Sequence, residues 1–546
     1  MKRRNSTFLP LVLSWATFVF MACQAQVPLQ KNTNLYGRVS VDGQPLAGVW
    51  VSDGQAWSQT DSAGWYQLSG SKHQQTVFVI TPSGYSATAE DGLTPQFWQP
   101  VSPDSTKLER RDFVLEKTPD ASYGVIFLPD AHFCGEKNDR MLFDSLTVRA
   151  YERIVRSLSS CQRIVTINLG DISHDRYWYA SDFDIRDAYQ LVRESGVRAP
   201  MYSVTGNHDH DPSVCIPDSL QEDFSAQSRY RRLMGPAWYA VNIGNRHWVF
   251  MDNMLYINTP APSCHYKGVA GKRNYDVCFT AEQLAWLKDD FSRIAPGTPV
   301  CICAHGPLFD NRGCRHPRSQ VTFLDSLAAA RSTKIDFFAG HVHRMETACC
   351  EDFPHITVYA LPAVSGNMWE SFPQSRPLGL DGCEGGLEYA VFSADGGMTL
   401  GYDTYNGVNS YFRSYDMNAL GRKWSEDPDC KWILNEVGHD VDYTSPSYRN
   451  GILVNFWWQS PGDRIEVLED GCPLKVKPAP FSVDPDGLFS HFNYRRQSYE
   501  GRHLSPSEIE LAFSRMFFAQ ARRADSQIVV RALDADGRVI AEEKLR

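Results

Sequence analysis

The sequence predicts an α/β protein whose central portion, residues 118–410, is flanked by two modules of the β-sandwich type. Three observations carry that expectation. Between about 120 and 410, short apolar runs alternate with stretches of helical periodicity, the pattern of strand, loop, helix, strand. Five of those runs end in short polar motifs, and both flanks alternate apolar and polar residues in brief runs broken by Gly, Pro and Asp-Gly turns. With 546 residues, two or three domains are expected, because single cores stop growing at roughly 250 to 300 residues.

The first element is an export signal over residues 1–25: Lys2-Arg3-Arg4, an apolar stretch from Phe8 to Ala22, then Cys23-Gln24-Ala25-Gln26. The stretch is short of the about 20 residues that span a bilayer. Cleavage after Ala25 releases a soluble periplasmic protein, whereas cleavage before Cys23 leaves a cysteine for a lipid anchor at the outer membrane or cell surface. Fourteen cysteines fit such an oxidising compartment. Cys264 with Cys278, and Cys349-Cys350, are expected to staple loops.

Residues 27–117 form the first module. The stretch from Tyr36 to Val49, followed by Thr60-Asp61-Ser62-Ala63-Gly64-Trp65-Tyr66, resembles the carboxypeptidase-regulatory-like sandwich, which implies an accessory role in packing or spacing. In the central portion the apolar runs are Gly124 to Leu128, Ile164 to Leu169, Met201 to Val204, Val300 to Cys303 and Ile335 to Phe338. A helix is expected from Met141 through Leu158, and an amphipathic one from Ala281 to Phe291 with Leu284, Leu287 and Phe291 on one face. Tyr239 to Ile243 and His247 to Met251 read as a hairpin turning at Gly244-Asn245. That hairpin opens a second sheet, which Ile356 to Leu361, Tyr389 to Phe392 and Met398 to Tyr402 are expected to continue. From 411 to 546 a β-rich domain follows, with strands at Ile452 to Trp457, Arg464 to Leu468 and Ile528 to Ala532, and Trp457-Trp458 as core.

The chemistry lies in the five motifs: Asp130-Ala131-His132, Gly170-Asp171-Ile172-Ser173-His174-Asp175, Gly206-Asn207-His208-Asp209, Ala304-His305-Gly306 and Gly340-His341-Val342-His343. Carboxylates, imidazoles and an amide collect there at the carboxyl ends of strands, where open α/β sheets bind ligands. Mixed nitrogen and oxygen donors without cysteine suit a hydrolytic metal pair of manganese, iron or zinc ions, divalent or trivalent, and not a structural zinc site. A net charge of −10 without a basic run disfavours nucleic acid as main partner.

Over residues 120 to 410 this set closely resembles the calcineurin-like metallophosphoesterase superfamily. The resemblance implies a four-layer α/β/β/α sandwich and phosphoester hydrolysis. It implies that Asp130, His132, Asp171 and His343 hold one metal, and that Asp171, Asn207, His305 and His341 hold the other, with Asp171 shared. It also implies a bridging hydroxide as the attacking group and His208 as the acid that protonates the leaving oxygen. One position departs from many relatives, which carry an aspartate three residues after the bridging one to orient the catalytic histidine. Here that residue is His174, so Asp175 or Asp209 takes over, or His174 faces the substrate. The expected substrate is a phosphorylated small molecule, lipid or glycan, as a monoester or diester. The alternatives are a nucleotide or pyrophosphate hydrolase, and a catalytically silent surface-binding protein. Substrate choice is expected to lie in loops such as Gly313 to Ser319 and Trp369 to Glu384.

Overall fold

The computed structural model describes residues 28–135, 138–216, 219–261, 267–364, 377–379, 381–408, 410–437, 442–480, 483–490 and 515–546. The export signal with Cys23, and most of the loop from Trp369 to Glu384, lie outside the described residues.

The centre of the molecule is a pair of facing sheets. The first has the order Met201–Ser203, Arg163–Asn168, Tyr123–Leu128, Gly386–Phe392, Met398–Thr404, parallel across its first three strands and antiparallel beyond. The second has the order Tyr239–Ile243, Arg246–Phe250, Val300–Cys303, Ile335–Ala339, Ile356–Ala360, Glu346–Cys349. Its four inner strands run parallel and both edges are antiparallel. Successive side chains of a strand point to opposite faces. Along Tyr123–Leu128, Val125 and Phe127 therefore face the second sheet, while Ile126 and Leu128 pack against the outer helices.

Aromatic rings fill the space between the sheets. Phe127 stacks on Phe338 with centroids 4.8 Å apart, and Trp248 bridges Phe338 and Phe392. Helices Arg149–Ser157 and Ile185–Glu194 cover the first sheet through Tyr151, Ile154 and Val192. Helices Ala281–Arg293 and Arg318–Ala330 cover the second through Leu287, Phe291, Val321 and Leu324. The result is the expected α/β/β/α layering.

Three details differ from the sequence reading. Gly386–Phe392 and Met398–Thr404 extend the first sheet instead of the second, because Tyr123–Leu128 has a free edge there and the returning chain pairs with it antiparallel. The helix expected from Met141 holds a π-helical stretch, Phe143–Val148, between Asp139–Leu142 and Arg149–Ser157. Cys349 and Cys350 are free thiols and not loop staples, Cys349 Sγ meeting Thr357 Oγ1 at 3.8 Å across its strand pair; Cys278 is a free thiol too, and Cys264 lies outside the described residues.

The N-terminal strands, from Leu35–Val41 to Phe113–Lys117, build a six-stranded and a four-stranded sheet. They share a core with the second sheet: Trp57 stacks on Trp286 at 5.4 Å, and the Trp286 Nε1 donates to Ser52 Oγ at 3.2 Å. Among the described residues the C-terminal region has two four-stranded sheets together with helices the strand-like texture did not suggest, Met417–Glu426 and Pro428–Val437 among them. The first is capped by the Asp416 side chain and buries Leu420 and Trp424.

One buried acid sits between the central sheets. Glu388, 5% exposed, shares the inner face of its strand with Ala390 and Phe392, and burial pushes its carboxyl up from 4.5 to about 8. The native state thus keeps a proton that the unfolded chain releases, and stability falls as pH rises from about 4.5 to about 8. Glu388→Gln is expected to flatten that fall and to add at least ~1 kcal/mol above pH 8. Urea unfolding at pH 5 and pH 9 measures it; an unchanged difference between the two pH values would contradict the assignment.

Candidate metal centre

The five motifs converge at the carboxyl ends of the parallel strands of both sheets. Backbone hydrogen bonds fasten the first two loops together: Asp130 N donates to Gly170 O at 3.0 Å, His132 N to Asp171 O at 2.8 Å and Phe133 N to Ile172 O at 3.0 Å. Two glycines permit the close approach. A Cβ on Gly206 would lie 2.2 Å from Asp171 Oδ1, and one on Gly340 would lie 2.3 Å from Asp130 Oδ2. Asp130, His132, Asp171, His341 and His343 all have positive φ, between 49° and 68°. Such a conformation is uncommon for residues with a Cβ, and it persists where surrounding structure holds it for function.

Among the described residues three groups of donors form, each with its ligand atoms within 4.8 Å of one another: Asp130 with His132 and His343, Asp171 with His305 and His341, and His132 with His174 and His208. His132 Nε2 lies 3.0 Å from His343 Nε2, with Asp130 Oδ1 3.3 Å from the latter. On the other side, Asn207 Oδ1 lies 3.2 Å from His305 Nε2. Asp171 stands between them, its Oδ2 3.6 Å from His132 Nε2 and 3.1 Å from His305 Nε2. Its other oxygen accepts from the His208 amide at 2.7 Å.

The donor set fits two cations. His305 donates from Nδ1 to Leu169 O at 2.7 Å, which leaves Nε2 as the atom turned to the cluster, the outer hydrogen bond that ligating histidines need. Burial opposes charge on His305, yet the Asp171 and Asp130 carboxylates lift it to about 9. Burial holds His132 and His341 well below their usual value, so their lone pairs are available. Burial raises Asp171, but the surrounding histidines outweigh it and keep the carboxyl well below its usual range. A buried anion among imidazoles is what bound cations would find.

Beside the cluster, His208 Nδ1 lies 2.6 Å from Asp175 Oδ1, and Arg273 Nη1 lies 2.7 Å from Asp175 Oδ2. Asp175 is fully buried; burial alone raises its carboxyl, and His208, His174 and Arg273 together hold it well below its usual range. His174 packs on His208 with centroids 4.3 Å apart, and burial brings it down to about 4. Asp209 lies elsewhere: Oδ1 accepts from Ser173 N and Oγ at 3.0 Å, and Oδ2 from Gly206 N at 3.0 Å. It braces two motif loops, and of the two acids considered for His208 it is Asp175 that meets the ring.

The sequence reading missed Arg273 and Tyr275. Both lie on the hairpin Met254–Thr259 and Lys272–Val277, and the Tyr275 hydroxyl is 3.3 Å from His341 Nε2. Their signal was the alternation Lys272-Arg273-Asn274-Tyr275, which sends Arg273 and Tyr275 to one face of a strand.

Residues 125–345 match the family described as calcineurin-like phosphoesterase, and residues 33–118 match the N-terminal region of the same family. No curated protein matches the chain. Among solved structures, a dimetal phosphatase from Danio rerio is 15% identical, covering 53% of this chain and 100% of its own, with a TM-score of 0.32. The purple acid phosphatase PPD1 from yellow lupin seeds is 12% identical, covering 67% and 68%, with a TM-score of 0.35. A 5'-nucleotidase from Candida albicans is 12% identical, covering 52% of each chain, with a TM-score of 0.30.

Proposed function

Since the chain belongs to the calcineurin-like phosphoesterases, a family of phosphoric ester hydrolases, we propose that it hydrolyses phosphomonoesters or phosphodiesters with two metal ions and a histidine acid. Asp130, His132 and His343 would hold one ion and Asn207, His305 and His341 the other, with Asp171 offered to both. The observation that carries this reading is Asp171 Oδ2, within 3.6 Å of an imidazole nitrogen from each of the first two donor groups. When bound, two such cations neutralise charge on phosphoryl oxygens and acidify water.

The remaining chemistry belongs to side chains. His208, fixed through Nδ1 by Asp175, presents Nε2 to the leaving oxygen and delivers a proton there. Asp175 is a positioning residue that stabilises the imidazolium, and Arg273 on its second oxygen keeps it ionised. His174, brought to about 4 by burial, is neutral near pH 7 and adds no charge beside His208.

The test is hydrolysis of 4-nitrophenyl phosphate and bis(4-nitrophenyl) phosphate by protein reconstituted with manganese, iron or zinc. Turnover of one ester or both, lost on chelation and restored by metal, is expected. Inert protein with every metal would contradict the reading.

A further inference from the structure

The hairpin Met254–Thr259 and Lys272–Val277 carries none of the five motifs, yet one of its faces lies against three parts of the site. Lys272, Asn274 and Asp276 are exposed, whereas the alternate residues Arg273, Tyr275 and Val277 are half-buried, as the two-residue period of a strand requires. Arg273 meets Asp175 Oδ2 at 2.7 Å, and Tyr275 meets His341. Val277 presses on the loop after His305, where a Cβ added to Gly306 would lie 2.8 Å from Val277 Cγ1. The face thus runs from the carboxylate behind His208 to the donors His305 and His341.

The hairpin is held from behind. Tyr256 N donates to Asp223 Oδ1 and Asn258 N to Glu222 Oε2, both at 2.8 Å, and both acids lie on the helix Ser219–Ala226. Tyr256, opposite Tyr275 in the register, is buried and stacks on His210 with centroids 5.3 Å apart.

The His341 ring lies between two others. Tyr275 packs on it edge to face at 5.3 Å and His305 at 5.0 Å. Its backbone N–H is spent on the Asp130 carboxylate. The Tyr275 hydroxyl, 3.3 Å from Nε2, is the hydrogen-bond partner that the described residues give the ring. A ligating imidazole offers one nitrogen to the cation and uses the other in an outer hydrogen bond that fixes the tautomer. His305 does so through Nδ1 on Leu169 O. On His341 the nitrogen with a partner is Nε2, and that partner is a phenol oxygen, which accepts as well as donates.

We propose that Tyr275 is a positioning residue of the metal centre: its hydroxyl oxygen accepts the His341 Nε2–H and so turns Nδ1 of that ring toward the ion held with Asn207 and His305. The inference rests on the metal half of the reading above and not on hydrolysis. It makes the hairpin a working part of the site, with Arg273 on the partner of the acid and Tyr275 on a ligand.

The test is competition for zinc between a chelating dye and the full chain, as wild type, Tyr275→Phe and Tyr256→Phe. Tyr275→Phe keeps the ring that packs on His341 and removes the oxygen. One zinc ion should be held about 10- to 100-fold more weakly by this variant, the range for a lost outer partner of a ligating histidine, and the other should be held as before. Tyr256→Phe, on the neighbouring strand, should change neither. The second readout is proton–nitrogen correlation NMR of the zinc-loaded protein labelled at histidine. Wild type should show an imidazole signal with its proton on Nε2 that shifts or vanishes in Tyr275→Phe. Unchanged zinc affinities overturn the proposal, as does an unchanged set of imidazole signals. Equal weakening by both variants overturns it too, since the effect would then be one of hairpin packing. Wild type that binds two zinc ions and cleaves neither ester removes the hydrolase reading while the comparison of variants still decides the role of Tyr275; wild type that binds no zinc overturns both.

Discussion

Replacing His208 by alanine is expected to leave the metal content of the protein intact and to lower kcat by roughly 10²- to 10⁴-fold, the range of general acid catalysis. The expectation follows from what the ring touches. Its Nδ1 is engaged by Asp175 at 2.6 Å, and its side chain is 17% exposed where the side chains of His305 and Asp130 are fully buried. His208 is thus about as open as His343, whose side chain is 20% exposed. His132, His174 and His208 also form a donor group within 4.8 Å, which gives the experiment its contrary outcome: if the variant loses metal along with activity, His208 is a ligand and not the acid. Asp175→Asn should lower kcat in the same direction with KM little changed, because it removes the charge that stabilises the imidazolium. A leaving group with a low pKa should rescue both variants, since it departs without a proton.

Asp171→Asn is expected to have the larger effect on metal. The substitution preserves shape and removes the one charge that both donor groups share, so at least one ion should be lost and kcat/KM should fall by about 10³-fold or more. Elemental analysis and circular dichroism separate loss of metal from loss of fold. The same carboxylate sets the pH dependence of metal binding. With Asp171 ionised, His305 is lifted to about 9 in the absence of a cation, so at pH 7 it carries a proton that a metal must displace. Loading should release about one proton from this group at pH 7 and none above about pH 10, and metal affinity should rise with pH between those limits. Calorimetry in buffers of different ionisation enthalpy reads the proton count; a count that does not change with pH would contradict the coupling.

Much of this architecture was legible in the sequence, and for a physical reason. Buried parallel strands read as continuous apolar runs, and the bounds read for Val300 to Cys303 are those of the strand. Motif residues at strand ends are forced together once such strands share two facing sheets. What was not legible depends on distant pairing. Nothing local in Gly386–Phe392 says which sheet edge it joins; that is decided by the free edge of Tyr123–Leu128 more than two hundred and fifty residues earlier. The choice between Asp175 and Asp209 was equally hidden, because both flank the motifs and only the fold of the two loops shows that Asp209 is used up on Ser173 and Gly206. Arg273 reaches Asp175 from a hairpin about a hundred residues away in sequence. Trp457, expected in a core, is 5% exposed as such a residue should be.

The central claim is that Asp171 is shared by two metal ions. Anomalous diffraction from crystals of the metal-loaded protein tests it most directly. The account predicts two peaks about 3.5–4 Å apart, one among Asp130, His132 and His343, the other among Asn207, His305 and His341, with Asp171 touching both. A single peak, or a second one among His132, His174 and His208, would contradict it.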